Sequence, residues 1–181
     1  MNNITLIDVI DWINWDEIIN QLSNQEGVLA TQWDVTKPKY KDIYKLWTDS
    51  NFNPMSIEWI NYYPETHYSS TVVDRISNWL HIKPVRSWIS RINPGYFAPW
   101  HWDVDDNEDE YLKNGDLYRY SCFIDNTPHG HIFMIGNEYI TNPIQGSMYK
   151  WSDYREWHSG INAGITPKYM FHILGNKDVR F

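Results

Sequence analysis

Apolar residues in the first 84 positions recur mainly at helical intervals. Asn14 and Glu17 have the spacing of a capping box, and the apolar stripe that follows them predicts a helix ending before Gly27. A second stripe begins at Tyr40, and a third follows Thr71, which we expect to cap its helix. Such stripes are typical of helices that pack one face against a core.

Strand-like patterns occupy most of the remaining chain. Two strands are predicted between the helices, at residues 27–35 and 56–63, and Pro84 lies beyond the third helix. From residue 85 onward, short β-prone runs alternate with turns that contain Gly, Pro or Asn. The strands predicted there are 86–92, 96–103, 117–125, 131–135, 147–151, 156–161 and 168–174.

Many short strands, with no helix-length segment among them, favour an antiparallel sandwich or barrel. We therefore predict a mainly β fold with flanking helices, a double-stranded β-helix (jelly roll) like that of the cupins. A chain of 181 residues fits one domain. Within it, residues 1–84 would form a mixed helix and strand buttress, and residues 85–181 the jelly-roll core.

Composition limits the classes of partner. The net charge is −8 and no cluster of lysine and arginine is present, which argues against a nucleic-acid partner. The single cysteine, Cys122, excludes an intramolecular disulfide and a cysteine-rich zinc site. No signal-peptide pattern or membrane-length apolar run is present, so we expect a cytoplasmic protein with no membrane partner. The 11 Trp and 13 Tyr indicate a core and cleft built from rings.

The candidate chemistry is a His-x-Asp pair on the strand predicted at 96–103. His101 and Asp103 are two residues apart, so in a strand their side chains face the same side. With a third ligand they would form the two-histidine, one-carboxylate triad of non-haem Fe(II) oxygenases, which leaves positions open for a cosubstrate and dioxygen. Among the seven histidines, His158 is the best third ligand because the small residues Ser159 and Gly160 follow it. On spacing alone, His-x-Asp also fits a surface pair.

A dicarboxylate cosubstrate would need a buried cation and a hydroxyl for its far carboxylate. Lys168 follows His158 on the next predicted strand, although it could instead lie in solvent at a strand end. Arg119 and Ser121 share one face of their predicted strand, and Ser90 lies one strand before His101.

Three segments resemble the aspartyl/asparaginyl β-hydroxylase family of 2-oxoglutarate/Fe(II) oxygenases. Residues 90–101 (SRINPGYFAPWH) are similar to the segment with its serine, Pro-Gly turn and metal-binding histidine. In residues 117–121 (LYRYS), Arg119 matches an arginine of the family, whereas Ser121 stands where the family has a histidine. Residues 146–158 resemble the segment with the distal histidine, and Lys168 stands where the family commonly has arginine.

The resemblance implies that His101, Asp103 and His158 hold Fe(II), and that 2-oxoglutarate binds to this metal. Its far carboxylate would contact Lys168 and Ser90, and Arg119 would contact its other end or the substrate. Ser121, in place of the family's histidine, would also contact the cosubstrate. The reaction would hydroxylate an amino acid or an amino-acid residue with dioxygen, releasing succinate and carbon dioxide. The substrate could be a small molecule or a peptide.

Asp103 also separates this chain from animal members of the family that can lack the carboxylate ligand. It makes the chain more similar to bacterial members with a full triad, including those that act on free amino acids. In its small size and acidic charge the chain is similar to microbial or phage-encoded oxygenases. If a phage encodes it, we expect it in the host cytoplasm. Candidates for the substrate mouth are Arg155, His129, Trp157 and the acidic run at 103–110.

Two other readings use the same residues. A cupin-like enzyme could use the metal without 2-oxoglutarate, in which case loss of Lys168 would leave activity intact. A non-catalytic jelly-roll binding module would make the His-x-Asp pair incidental, and no metal-dependent thermal shift would be expected.

Overall fold

The computed structural model describes residues 3–30, 38–52, 54–103, 116–126 and 129–177. Within these residues the helices are α1 (Trp15–Ser23), α2 (Pro38–Asp49) and α3 (Thr71–Leu80), with a 3₁₀ turn at Pro54–Ser56. The strands are β1 (Ile4–Val9), β2 (Val28–Leu29), β3 (Ile60–Tyr62), β4 (Ile82–Ile92), β5 (Phe97–His101), β6 (Leu117–Phe123), β7 (His131–Ile135), β8 (Glu138–Thr141), β9 (Ser147–Trp151), β10 (His158–Asn162) and β11 (Lys168–Lys177).

The strands form two sheets with antiparallel pairing between neighbours. The larger sheet has the order β1-β9-β6-β11-β4-β3-β2, and the smaller has the order β5-β10-β7-β8. Side chains from both sheets meet in one buried cluster between them, made of Ile4, Phe123, Phe133, Ile135, Trp151 and Met170. Two facing antiparallel sheets with these crossovers confirm the predicted jelly roll.

Helices α1 and α3 cover the outer face of the larger sheet, whereas α2 packs beside β5, where Nε1 of Trp47 donates to the Trp100 carbonyl. Trp15 and Leu22 of α1 and Ile76 of α3 are buried in one cluster with Ile89 of β4 and Phe171 of β11. Two of the three helices therefore buttress the larger sheet, as predicted, and α2 does not.

The predicted cap of the first helix is confirmed. The Asn14 side chain accepts a hydrogen bond from the backbone N–H of Glu17 (3.2 Å) and donates to the Glu17 carboxylate. The predicted cap of the third helix is wrong, because Ser70 is the cap and Thr71 is the first helical residue. The backbone N–H of Thr71 is bonded instead to the Ser69 hydroxyl.

Several strand boundaries differ from the predictions. Pro84 lies inside β4, which already starts at Ile82. The strand predicted at 27–35 is only Val28–Leu29 in the described part, and residues 31–37 lie outside it. The strand predicted at 56–63 is shorter and follows the 3₁₀ turn.

Sequence periodicity missed β1 and β8. Both lie at a sheet edge, and most of their side chains are exposed or only partly buried. An edge strand that buries few side chains has no clear apolar alternation, so its pattern does not distinguish it from a loop.

The larger sheet contains strands from both sides of residue 84. The division into a buttress and a core, and the single domain, stay predictions. Within the described ranges, no helix is long and apolar enough to cross a membrane.

Candidate metal centre

Three side chains meet where β5 ends and β10 begins. His101 is the last residue of β5, His158 is the first of β10, and the two are paired across the strands. Asp103 follows two residues after His101. One ligand atom from each of the three lies within 4.8 Å of the others. The Nε2 atoms of His101 and His158 are 3.7 and 3.8 Å from the Asp103 carboxylate oxygens.

Asp103 is not on the strand itself, although the sequence pattern had placed it there. The strand stops at His101, so simple alternation does not orient the Asp103 side chain. An ion pair does: Nη2 of Arg119 contacts Oδ2 of Asp103. The rest of the acidic run, residues 104–110, lies outside the described residues.

Both imidazoles are oriented through their Nδ1 atoms. Nδ1 of His101 is bonded to the carbonyl of Pro99, and Nδ1 of His158 to the carbonyl of Glu156 (3.0 Å). A carbonyl can only accept, so Nδ1 carries the proton and the Nε2 lone pair faces the other ligands. Trp59 stacks on His101 with centroids 5.4 Å apart. Burial lowers the pKa of both histidines, which keeps them neutral as metal binding requires.

Arg119 keeps Asp103 ionised. Burial alone would raise the pKa of Asp103, but the charge of Arg119 holds that pKa well below its usual value. The guanidinium is itself buried and lies 3.7 Å from the ring centroid of Trp151. Among the described residues, Nε and Nη1 of Arg119 have no hydrogen-bond partner. Two donors therefore remain for an acceptor that enters the site.

Lys168 is the first residue of β11 and is completely buried, so the structure does not place it in solvent at the strand end. Its Nζ donates to the carbonyl of Ile132, and within the described part of the chain no carboxylate lies within ion-pair distance. Burial lowers the pKa of Lys168 to about 7, although Asp125 acts in the opposite direction. A Cβ at Gly160 would lie 3.3 Å from Nζ of Lys168 and 2.9 Å from Ile92 Cδ1, so only glycine leaves no side chain between the ammonium and the cavity.

The two candidate serines are bridged by a histidine. The Ser90 hydroxyl is 3.0 Å from Nε2 of His172, and the Ser121 hydroxyl is 2.9 Å from Nδ1 of the same ring. Ser121 also accepts a hydrogen bond from Nε1 of Trp151. The structure therefore brings Ser90 to the cavity, whereas Ser121 does not line it and its hydroxyl is already bonded to His172 and Trp151.

Sequence reasoning left out His172. The signal was present in the period of two along β11, because Lys168, Met170 and His172 alternate onto one face. Met170 and His172 do line the cavity at the centre of the site. A strand that carries a candidate ligand at one position predicts further site residues two and four positions away.

A cavity of about 40 Å³ lies between the sheets among these groups. Its walls include His101, Asp103, His158, Arg119, Ser90 and His172, together with Gly160 and the rings of Trp59, Trp88 and Phe133. Lys168 lies behind Gly160. The cavity thus joins the candidate metal ligands to Arg119, while Lys168 does not line it and lies on the far side of Gly160.

The suggested mouth residues do not line this cavity. Trp157 packs edge-on against Trp102, with centroids 4.5 Å apart. Arg155 is exposed beside Tyr154. His129 precedes β7, whose far end pairs with His158, so His129 lies at the opposite end of the smaller sheet.

Comparison with known proteins gives likeness in structure only. No protein-family model matches the chain, and no curated protein matches it either. The viral collagen prolyl hydroxylase from Paramecium Bursaria Chlorella virus-1, solved as a 2OG complex, aligns with a TM-score of 0.52 and 15% identity over 97% of each chain. The likeness shows that the chain has the jelly-roll fold of 2-oxoglutarate oxygenases.

Two further solved structures align less closely. A 2OG-Fe(II) oxygenase family oxidoreductase from Burkholderia pseudomallei has a TM-score of 0.49 and 10% identity, over 95% of this chain and 97% of its own. A predicted oxalate decarboxylase from Thermotoga maritima has a TM-score of 0.41 and 13% identity, over 66% of this chain and 81% of its own.

Proposed function

We propose that the chain is an Fe(II)- and 2-oxoglutarate-dependent dioxygenase that hydroxylates an amino acid or an amino-acid residue. The observation that carries this proposal is the convergence of His101, Asp103 and His158 within 4.8 Å at an internal cavity. Two neutral imidazoles and one carboxylate are the donor set of non-haem iron oxygenases. The fold supports the same class.

His101, Asp103 and His158 would hold the metal. When bound, Fe(II) would supply a centre at which 2-oxoglutarate and dioxygen react, giving succinate, carbon dioxide and a hydroxylated product. The residues fit the ion, because each imidazole donates its Nδ1–H to a backbone carbonyl and Nε2 is the atom that would bind the metal. Arg119 keeps Asp103 as a carboxylate before any metal is present.

The same chain carries donors for both ends of a dicarboxylate. Lys168 is a buried ammonium with no carboxylate in ion-pair distance among the described residues, and a carboxylate beside it would offset the cost of burying its charge. We assign the far carboxylate of 2-oxoglutarate to Lys168 and Ser90. We assign the near carboxylate, or a carboxylate of the substrate, to the unused donors of Arg119.

The finer assignments rest on the sequence motifs. The likeness of residues 90–101 and 146–158 to aspartyl/asparaginyl β-hydroxylases supports an amino-acid or peptide substrate, with Asp103 favouring the members that have a full triad. A net charge of −8 supports a partner other than nucleic acid. We also propose a cytoplasmic location, which is supported by a buried free cysteine and by the lack of a disulfide in the described part.

Anaerobic titration with Fe(II) and then 2-oxoglutarate tests the proposal. We expect a weak visible metal-to-ligand charge-transfer band in the wild type and no band in His101→Ala or His158→Ala. His129→Ala is the matched control, because His129 is exposed and remote from the site, and it should keep the band.

The titration also separates the other two readings. A metal-dependent thermal shift without a 2-oxoglutarate band would favour a cupin-like enzyme. Absence of both the band and the thermal shift, together with no succinate from any amino-acid mixture, would favour a binding module and refute the proposal.

A further inference from the structure

A row of hydrogen bonds crosses four adjacent strands of the larger sheet below the cavity. It starts at Trp151 on β9 and passes through Ser121 on β6 and His172 on β11 to Ser90 on β4. The three donor–acceptor distances are 3.0, 2.9 and 3.0 Å. Each link therefore has the length of an ordinary hydrogen bond.

The direction of this row follows from its buried end. The indole Nε1 of Trp151 can only donate, so the Ser121 oxygen accepts from it. Ser121 is 0% exposed, so its own hydroxyl hydrogen needs an acceptor. Within the described part of the chain that acceptor is Nδ1 of His172. Nδ1 is then unprotonated, and the neutral ring carries its proton on Nε2.

The opposite hydrogen-bond direction between Ser121 and His172 would be less stable. If Nδ1 of His172 carried the proton, the Ser121 oxygen would accept from both the histidine and Trp151. Its hydroxyl hydrogen would then be buried with no acceptor, which is costly inside a protein. Burial also lowers the pKa of His172 well below its usual value, which agrees with a neutral ring.

The consequence appears at Ser90. Its oxygen accepts from Nε2–H of His172, so its hydroxyl hydrogen is left to donate elsewhere. Ser90 lines the cavity and is partly exposed there. On β11 its partner is Met170, and Lys168 lies two residues before Met170. Diagonal neighbours of this kind have backbones about 7–8 Å apart, so one carboxylate can contact both side chains.

We propose that His172 is a positioning residue that commits the Ser90 hydroxyl to donate to the carboxylate bound by Lys168. Ser121 and Trp151 act one step further away, by selecting the tautomer of His172. Ser121 would then be a support of the cosubstrate site rather than a direct contact. The inference rests on the proposed function, because it assigns the far carboxylate of 2-oxoglutarate to this place.

The tautomer can be tested without catalysis. In long-range ¹H–¹⁵N spectra of the full-length, Zn(II)-loaded protein, we expect His172 to have a protonated Nε2 and an unprotonated Nδ1. The signal is assigned by its loss in His172→Gln. A proton on Nδ1, or on both nitrogens, would overturn the inference.

The functional part is tested by calorimetry on the anaerobic Fe(II)-loaded protein with two ligands. The first is 2-oxoglutarate, and the second is 2-oxobutyrate, which lacks the far carboxylate. We expect Ser90→Ala and His172→Leu each to weaken 2-oxoglutarate binding by about 10-fold or more, since a hydrogen bond to a charged group is lost. Binding of 2-oxobutyrate should not change, and the double variant should lose no more than either single variant.

His172→Gln provides the rescue, because its amide can still donate to Ser90 and should restore most of the affinity. Equal weakening of both ligands in His172→Leu would mean a purely structural role and would overturn the inference. Full 2-oxoglutarate affinity in His172→Leu would also overturn the inference, but it would leave the proposed function intact. If the wild type binds both acids equally, the proposed cosubstrate site and this inference fail together.

Discussion

Replacement of Lys168 by methionine should stabilise the protein without cosubstrate and sharply reduce its stabilisation by 2-oxoglutarate. Methionine has a similar length and no charge, so the change removes the buried ammonium while nearly keeping its volume. The opposite signs of the two effects make this variant informative. A buried lysine that does not bind 2-oxoglutarate would produce the first effect without the second.

The magnitude follows from the environment of Lys168. Burial lowers its pKa from 10.5 to about 7. At 1.36 kcal/mol per pKa unit, the buried lysine costs about 4 kcal/mol at pH 7. Loss of the hydrogen bond to the Ile132 carbonyl destabilises the variant by about 1–3 kcal/mol and offsets part of this gain. The net gain of about 2 kcal/mol corresponds to about 4–8 °C in Tm for a chain of this size.

The gain should depend on pH in a defined direction. Between pH 7 and 10.5, the unfolded chain keeps a proton on Lys168 that the folded protein has released. The free energy of unfolding of the wild type therefore rises with pH over this window, and Lys168→Met lacks this contribution. The advantage of the variant should be fully present below pH 7 and shrink as the pH rises towards 10.

Thermal and guanidinium denaturation at pH 7, 8, 9 and 10 measures these differences. Lys177→Met is the matched control, because Lys177 is on the same strand but exposed, and it should show neither effect. With Fe(II) bound and 2-oxoglutarate at 100 times the wild-type Kd, the wild type should gain about 2.7 kcal/mol and the variant much less. A lower Tm for Lys168→Met at pH 7, or a full response to 2-oxoglutarate, would refute the reasoning.

Three further outcomes are expected. Gly160→Ala should destabilise the protein by about 1–3 kcal/mol in denaturation, since its Cβ would lie 2.9 Å from the Ile92 side chain, and it should weaken the thermal shift with 2-oxoglutarate; an unchanged shift would contradict an open ammonium there. Asn14→Ala should cost about 1 kcal/mol through loss of the cap, whereas the exposed helical control Asn20→Ala should cost nothing measurable. Cys122 should resist iodoacetamide at pH 8 until the protein is unfolded, because burial raises its thiol pKa; rapid labelling seen by mass spectrometry would disprove this.

Much of the jelly roll could be predicted from local patterns. The strands predicted at 131–135 and 147–151 have the same bounds in the structure, and Asn14 caps the first helix as expected. These features depend on residues close together in the chain. Alternation reports a strand with one buried face, and a cap depends on two side chains three positions apart.

The site was predictable only as a set of candidates. His101, Asp103 and His158 do meet, and Lys168 lies behind Gly160. Strand alternation from His101, however, does not explain the orientation of Asp103. The carboxylate lies beyond the strand, and Arg119 from another sheet orients it. No local pattern contains that contact, because Arg119 comes from a strand of the other sheet.

By itself the sequence determined the fold class and the residue types that could form a metal site. Tertiary structure alone decided that Lys168 is completely buried, and that His172 connects Ser90 with Ser121. The physical reason is that both facts depend on which distant strands lie side by side and in what register. Packing between strands β4, β6, β9 and β11 sets those neighbours, and the local sequence records only which face of each strand is buried.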